Sequence, residues 1–167
     1  TAFEQMAKVQ PLVLEDLLML NDQDVSEHSH GFSCLGTTLK KAGSKDNFYA
    51  TDFTINAHFA ELLQQTSAHY LLVSALGANA RSPFFYNRVK GELEQYIQNL
   101  SLSKVSLLRP SLLLGERQDA RFLEDLSQQL FQRCSSFLPK NFKHRPVTAG
   151  QVAHTMVEAA LTQTEKF

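Results

Sequence analysis

Tyr86 and Lys90 are the two residues of this 167-residue chain whose types and spacing could do chemistry together. A phenol with an ordinary pKa of about 10 is a poor acid or base at neutral pH, and a nearby ammonium stabilises its phenolate. Four residues apart on a helix, the two side chains lie one turn apart on the same side. A Tyr-x-x-x-Lys pair so placed could give or take a proton where an isolated tyrosine would not. Because the same spacing also arises by chance on helices, the neighbouring elements have to carry the reading.

Those elements can be read from the pattern of apolar residues. Ser82 followed by Pro83 predicts a helix start, since proline at the first helical position gives up an amide that had no partner. From there Phe85, Val89, Leu93 and Ile97 recur every four residues and predict a buried seam beside the Tyr86–Lys90 pair. The run from Tyr70 predicts a buried strand ending at Ser74, and Lys104 to Arg109 a further strand stopped by Pro110. Upstream, the short apolar run from Gly31 stops at Gly36, Thr37 and Thr38, as a central parallel strand does where it opens on a crevice. Lys40, Lys41 and Gly43 then read as a polar loop. From Phe48 the pattern becomes helical, with Ile55, Phe59, Leu62 and Leu63 on one apolar face. Strand, helix, strand, helix, strand with short joints predicts an α/β fold around a parallel sheet.

The flanks are read in the same way. Residues 1–9 read as the tail of a connection or a short helix, and Pro11 to Asp16 as a short buried strand. The polar stretch 21–30 reads as a solvated helix or loop, because its two histidines and three acids match no metal-ligand spacing. A helix is expected from Ala120 to Phe137, followed by a solvated basic loop of Lys140, Lys143, His144 and Arg145 and a short strand at residues 145–147. Thr148 and Gln151 form a capping box. It opens a last helix with Val152, Met156, Val157, Ala160 and Leu161 on its inner face.

Composition bounds the rest. With 43% hydrophobic and 20% charged residues the chain suits one globular domain with a real core. A net charge of −1 offers no field to attract nucleic acid or an anionic membrane, and no apolar run reaches the roughly 20 residues of a membrane span. Cys34 and Cys134 form no metal-spaced pair. They read as small buried apolar residues, which suits a reducing cytoplasm.

Four motifs in order, GFSCLGTT from Gly31, LLVSALGA from Leu71, YNRVK from Tyr86 and LLRPSLLLGER from Leu107, resemble the atypical short-chain dehydrogenase/reductases with an NAD(P)-binding Rossmann fold, a doubly wound parallel sheet. Within them the chain is most similar to the Tat-interacting oxidoreductase-like group. The resemblance implies Tyr86 as general acid or base and Lys90 as its electrostatic partner and a ligand of the nicotinamide ribose. It implies Ser74 as a donor to the substrate carbonyl oxygen and Asn56 as the anchor of a proton-relay water. Leu35, Gly36, Thr37 and Thr38 would lie along the cofactor, Arg109, Pro110 and Ser111 at its nicotinamide end, and Asp16 and Leu17 near its adenine. Many relatives carry two serines at the strand tip, whereas here the second position is Ala75.

The glycine-rich phosphate loop that such a fold places after its first strand does not occur in the sequence. The expectation is therefore one Rossmann-type domain over residues 1–167, preceded by a strand-helix-strand of roughly 40 residues that the sequence lacks. Residues 111–147 would form its substrate side. In that family's strand order the first two strands lie between the third and fourth, so Pro11–Asp16 would stand away from the sheet. The function implied is a cytoplasmic oxidoreductase using NADP or NAD on a small carbonyl or alcohol substrate, with a homodimer or a regulatory protein partner compatible. The alternatives are an NAD(P)-binding regulator with little turnover and, more distantly, an epimerase or dehydratase acting on a nucleotide sugar.

Overall fold

A computed structural model describes residues 8–111, 113–114 and 147–163. At its centre is a parallel sheet of β1 (His30–Ser33), β2 (His69–Val73) and β3 (Lys104–Leu108), in spatial order β1-β2-β3. The register aligns Ser33 with Leu72 and Val73 with Leu108, so all three strands run out on the same edge. β2, the middle strand, is buried on both faces, with Tyr70, Leu71 and Leu72 at 0% exposure. This explains its unbroken apolar run.

Parallel neighbours need long crossovers, and helices supply them. The short helix α1 (Asp22–Val25) precedes β1, and between β1 and β2 run α2 (Leu39–Ala42), α3 (Lys45–Tyr49), a π-helical turn (Ala50–Thr54) and α4 (Ile55–Leu63). Between β2 and β3 runs α5 (Phe85–Asn99). α4 and α5 cover one face of the sheet through Ala57, Ala60 and Leu63, and Leu93 and Ile97, against Tyr70, Leu72 and Val105. Burying each of the larger side chains contributes about 1.5–3 kcal/mol. Gly31 lets α4 sit directly on β1, since a Cβ there would stand 2.5 Å from Leu63 Cδ1.

The opposite face carries α6 (Ala149–Thr162), opened by the predicted capping box of Thr148 and Gln151. Its Met156 Sδ lies 3.8 Å from Cys34 Sγ, and His30 Nε2 is 3.2 Å from the Ala160 carbonyl. Just past its end, Gln163 meets the Ser106 hydroxyl and donates to the Val105 carbonyl at 2.8 Å. Two-residue strands β4 (Leu113–Leu114) and β5 (Val147–Thr148) pair in parallel beside it.

Several expectations are corrected. Pro11–Asp16 form no strand, and Leu12 and Val13 are 59% and 89% exposed. An apolar run becomes a strand only with a neighbour to complete its ladder, and no described strand lies alongside. Residues 39–42 are a short helix ended by Gly43 in the left-handed region (φ 76°), not a loop. α5 starts at Phe85 rather than Pro83, because Ser82 Oγ accepts the Phe84 amide and Phe84 remains extended. On α6 Met156 is buried and Val152 and Ala160 are half-buried, as expected, while Val157 and Leu161 face outward. Cys34 is exposed rather than buried. The expected helix at 120–137, the basic loop and Cys134 lie outside the described residues. Among those described, no helix is long and apolar enough to cross a membrane, and no cluster of three metal-ligating side chains occurs.

His69, 3% exposed on β2, gives a test of this packing. Its Nε2 lies 2.9 Å from Ser106 Oγ, and burial, then His30 and Lys104, hold its pKa below the usual value. The unfolded chain therefore binds a proton that the folded chain resists. Stability contributed by neutral His69 is present above about pH 6.5 and is lost as pH falls toward the depressed value. Urea unfolding at about pH 7.5 and about pH 5 is expected to show the lower stability at pH 5, with a shallower pH dependence in His69→Gln.

Candidate functional site

The strand tips are stitched together by backbone hydrogen bonds. Ser74 N–H donates to the Leu108 carbonyl at 2.7 Å, Leu76 N–H to Pro110 at 3.1 Å, and Asn79 N–H to Asn87 at 2.9 Å. The loop after β2 is thereby held between the end of β3 and the start of α5. Gly91 lets that loop press on the helix, since a Cβ would meet Ala80 N and Asn79 C at 2.2 Å. Ser74 ends up 5% exposed, with its hydroxyl buried and without a hydrogen-bond partner among the described residues. A buried hydroxyl left unpaired costs stability, so an unpaired one at the open end of a parallel sheet suits a ligand oxygen.

On the neighbouring elements is a buried ion pair of Lys90 with Asp52. Lys90 Nζ lies 2.8 Å from Asp52 Oδ1, and the two side chains are 4% and 1% exposed. The contact is one of charge rather than of an aligned hydrogen bond, because Oδ1 has no donor in hydrogen-bonding geometry. The other oxygen, Oδ2, accepts the Thr37 N–H at 2.8 Å. Gly36 completes the group, as a Cβ there would stand 3.3 Å from Asp52 Oδ1 and 3.6 Å from Lys90 Nζ. The loop after β1 therefore rests its backbone directly on the pair.

The π-helical turn brings Asp52 inward. Phe48, Asp52 and Asn56, four residues apart, are all buried. Asn56 secures the turn, with Nδ2 donating to the Thr51 and Asp52 carbonyls at 3.1 Å each and Oδ1 accepting the Ser33 hydroxyl. Its backbone carbonyl accepts the Tyr70 hydroxyl at 3.3 Å. Asn56 thus acts by fixing Asp52 and the tip of β1. The available signal for Asp52 was an acid on the same stripe as Phe48 and Phe59, a position where a charge demands a partner.

Tyr86 sits one turn before Lys90, its ring against Phe48 at 5.9 Å between centroids. Burial first and the Asp52 charge second push its pKa up to about 12. This reverses the expectation that Lys90 would make the phenol more acidic. The ammonium is offset at 2.8 Å by Asp52, whose own charge reaches the phenol.

The remaining predicted residues divide. Leu35, Thr37, Thr38, Pro110 and Ser111 are half-buried at the rim. Thr38 Oγ1 caps α2 by accepting the Lys41 N–H. Arg109 grips the buried Glu94 of α5 with two hydrogen bonds, its Nε at 3.0 Å, and so braces the end of β3. Asp16 and Leu17 are not brought to the rim. Asp16 caps the 3-10 turn Leu17–Met19, which packs on α4. The expected substrate side at 111–147 lies mostly outside the described residues.

Removing one member of a buried ion pair strands the other and costs about 3–5 kcal/mol. Lys90→Met is expected to lose stability on that scale in urea unfolding. A loss of only a few tenths would mean that the pair is not buried in solution.

Comparison with known proteins supplies the kinship. No family profile matches the chain. It is 37% identical over 147 residues to "Protein FMP52-1, mitochondrial" of Scheffersomyces stipitis, covering 87% of this chain and 65% of that protein. It is 40% identical over 105 residues to "Protein HTATIP2" of Rattus norvegicus, covering 62% of this chain and 43% of that protein. Among solved structures, dTDP-4-dehydrorhamnose reductase from Bacillus anthracis in complex with NADP superposes with a TM-score of 0.61 at 14% identity, over 90% of this chain and 59% of that one. Other neighbours of the same fold were solved with NAD or NADPH. The resemblance drawn from the four motifs is borne out, as is the Rossmann-type fold. The cytoplasmic expectation is overturned, because FMP52 proteins of several yeasts are designated mitochondrial.

Proposed function

We propose that this chain, kin to the FMP52 and HTATIP2 proteins and folded like NAD(P)-dependent reductases and epimerases, is part of an oxidoreductase that binds NAD or NADP across its strand tips and acts on a small carbonyl or alcohol. The observation that supports this reading is the buried Ser74 hydroxyl, unpaired among the described residues at the end of β2, together with the half-buried Tyr86 one helical turn from Lys90. The names of its relatives favour a mitochondrial site of action.

When bound, the dinucleotide supplies or accepts the hydride. The chain's own residues do the rest. Gly36 and Thr37 offer a backbone surface that a ligand can approach closely, flanked by Leu35 and Thr38. The Lys90 ammonium, which faces Asp52 through charge, would offer its donors to ribose hydroxyls. Pro110 and Ser111 border the same rim, held by Arg109. Ser74 donates to the substrate oxygen as charge develops there, and Tyr86 delivers the proton from Oη.

Ala75, where many relatives of the type carry a second serine, favours a second reading: a dinucleotide-binding regulator with little or no turnover. A panel of aldehydes, ketones and quinones with NADH or NADPH separates the two. The oxidoreductase reading expects consumption of the reduced cofactor. It also expects Tyr86→Phe to lower the rate by about 10²- to 10⁴-fold, with dinucleotide affinity nearly unchanged. Tight dinucleotide binding with no turnover on any substrate would favour the regulator.

A further inference from the structure

We propose that Glu94 is a positioning residue: by gripping Arg109 it fixes the two carbonyls from which the loop after β2 hangs, and so sets where the Ser74 hydroxyl meets a substrate oxygen. The role toward substrate rests on the oxidoreductase reading above, whereas the mechanical coupling does not.

Glu94 lies one turn beyond Lys90 on α5, and its carboxylate is buried at 3% exposure. A charge so placed demands a partner. Arg109 supplies it, with Nε donating to Oε1 at 3.0 Å and Nη2 donating to Oε2. Two parallel bonds between a guanidinium and a carboxylate fix orientation as well as distance, because both planar groups must stay aligned. The carboxylate end is itself held, since α5 is seated on the sheet through Leu93 and Ile97. Arg109 is half-exposed, yet it is tethered to an element with a fixed place in the core.

What the tether controls stands on either side of Arg109. The Leu108 carbonyl, one residue before it, accepts the Ser74 N–H at 2.7 Å, and the Pro110 carbonyl, one residue after it, accepts the Leu76 N–H at 3.1 Å. A step of two on both segments continues the parallel ladder past its last paired residues, Val73 and Leu108. Beyond Leu76 the loop turns on itself, the Gly77 and Ala78 amides both lying 3.0 Å from the Ala75 carbonyl. Pro110 disfavours helical backbone at Arg109, so the flanking carbonyls are presented from an extended segment that Glu94 anchors at its middle residue. Ser74 depends on that anchor most directly. Its amide makes the first of the two bonds, while its hydroxyl is buried without a partner among the described residues. A hydroxyl aimed at developing charge loses its effect steeply with small displacements, and a shift of this segment would carry the hydroxyl with it.

Glu94→Gln tests the assignment, because it is nearly isosteric and leaves a half-exposed Arg109 that water can solvate. The first measurement is amide hydrogen exchange followed by NMR in protein without cofactor or substrate. Exchange at Ser74 and Leu76 is expected to quicken by about 10- to 100-fold relative to Leu71 and Leu72 in β2, the range set by loss of a charge-assisted hydrogen bond. A general loss of stability would quicken all four alike and overturn the proposal, as would no change at Ser74 and Leu76. Should Glu94→Gln fail to fold, Arg109→Lys, which keeps the charge and gives up the fork, decides by the same comparison. The second measurement applies once a carbonyl substrate gives turnover. There kcat should fall by about 10- to 100-fold, far more than dinucleotide affinity, a split that loosening of the whole fold would not produce. Quickened exchange at Ser74 and Leu76 with kcat unchanged would overturn the role toward substrate. Absence of turnover in the wild-type protein would count against the oxidoreductase reading, and the exchange comparison would still decide the coupling.

Discussion

Two opposite charges taken out of water have to stay together, and in this chain that requirement joins three segments far apart in sequence. Asp52 comes from the crossover between β1 and β2, Lys90 from α5, and the Thr37 amide from the loop after β1. Desolvating either charge alone costs several kcal/mol, so the segments can part only by breaking the pair or admitting water. A buried ion pair of this kind is a weak source of net stability. Its value lies in geometry, because it fixes where the loop at Gly36 lies relative to the helix that carries Tyr86.

Around that point the rim is built almost wholly from backbone. The parallel register brings the three strands to a common edge, and the amides of Ser74, Leu76 and Asn79 bind it to β3 and α5. Side chains act mainly as braces, with Arg109 on Glu94 and Asn56 across the π-helical turn. Among the described residues, the Ser74 hydroxyl and the Tyr86 phenol are the polar groups to which the proposed function gives a chemical role.

The sheet and its helices were legible because burial writes periodicity into sequence. The runs at Tyr70 and Lys104, the seam of Val89, Leu93 and Ile97, and the Thr148–Gln151 capping box all appear as anticipated. What was not legible depends on distant neighbours. Pro11–Asp16 has a strand's composition but no described partner to pair with. Val157 and Leu161 fit a helical stripe that sits one position away from the face α6 actually buries. Asp52 was missed because helical patterns are scanned for their apolar members, while its partner lies 38 positions on and one π-helical turn decides which way it points. Tyr86 and Lys90 do lie one turn apart on α5, but the expected acidification of the phenol is not seen, since its burial first and that unseen carboxylate second act against it.

Amide hydrogen exchange with and without NADPH tests the central claim, that a dinucleotide lies across the strand tips gathered around Asp52 and Lys90. The account predicts slowed exchange in residues 35–38, 74–78 and 109–111, and unchanged exchange along α6 on the other face of the sheet. Protection confined to α6 or to the outer surface of α4, with the strand tips unaffected, would contradict it.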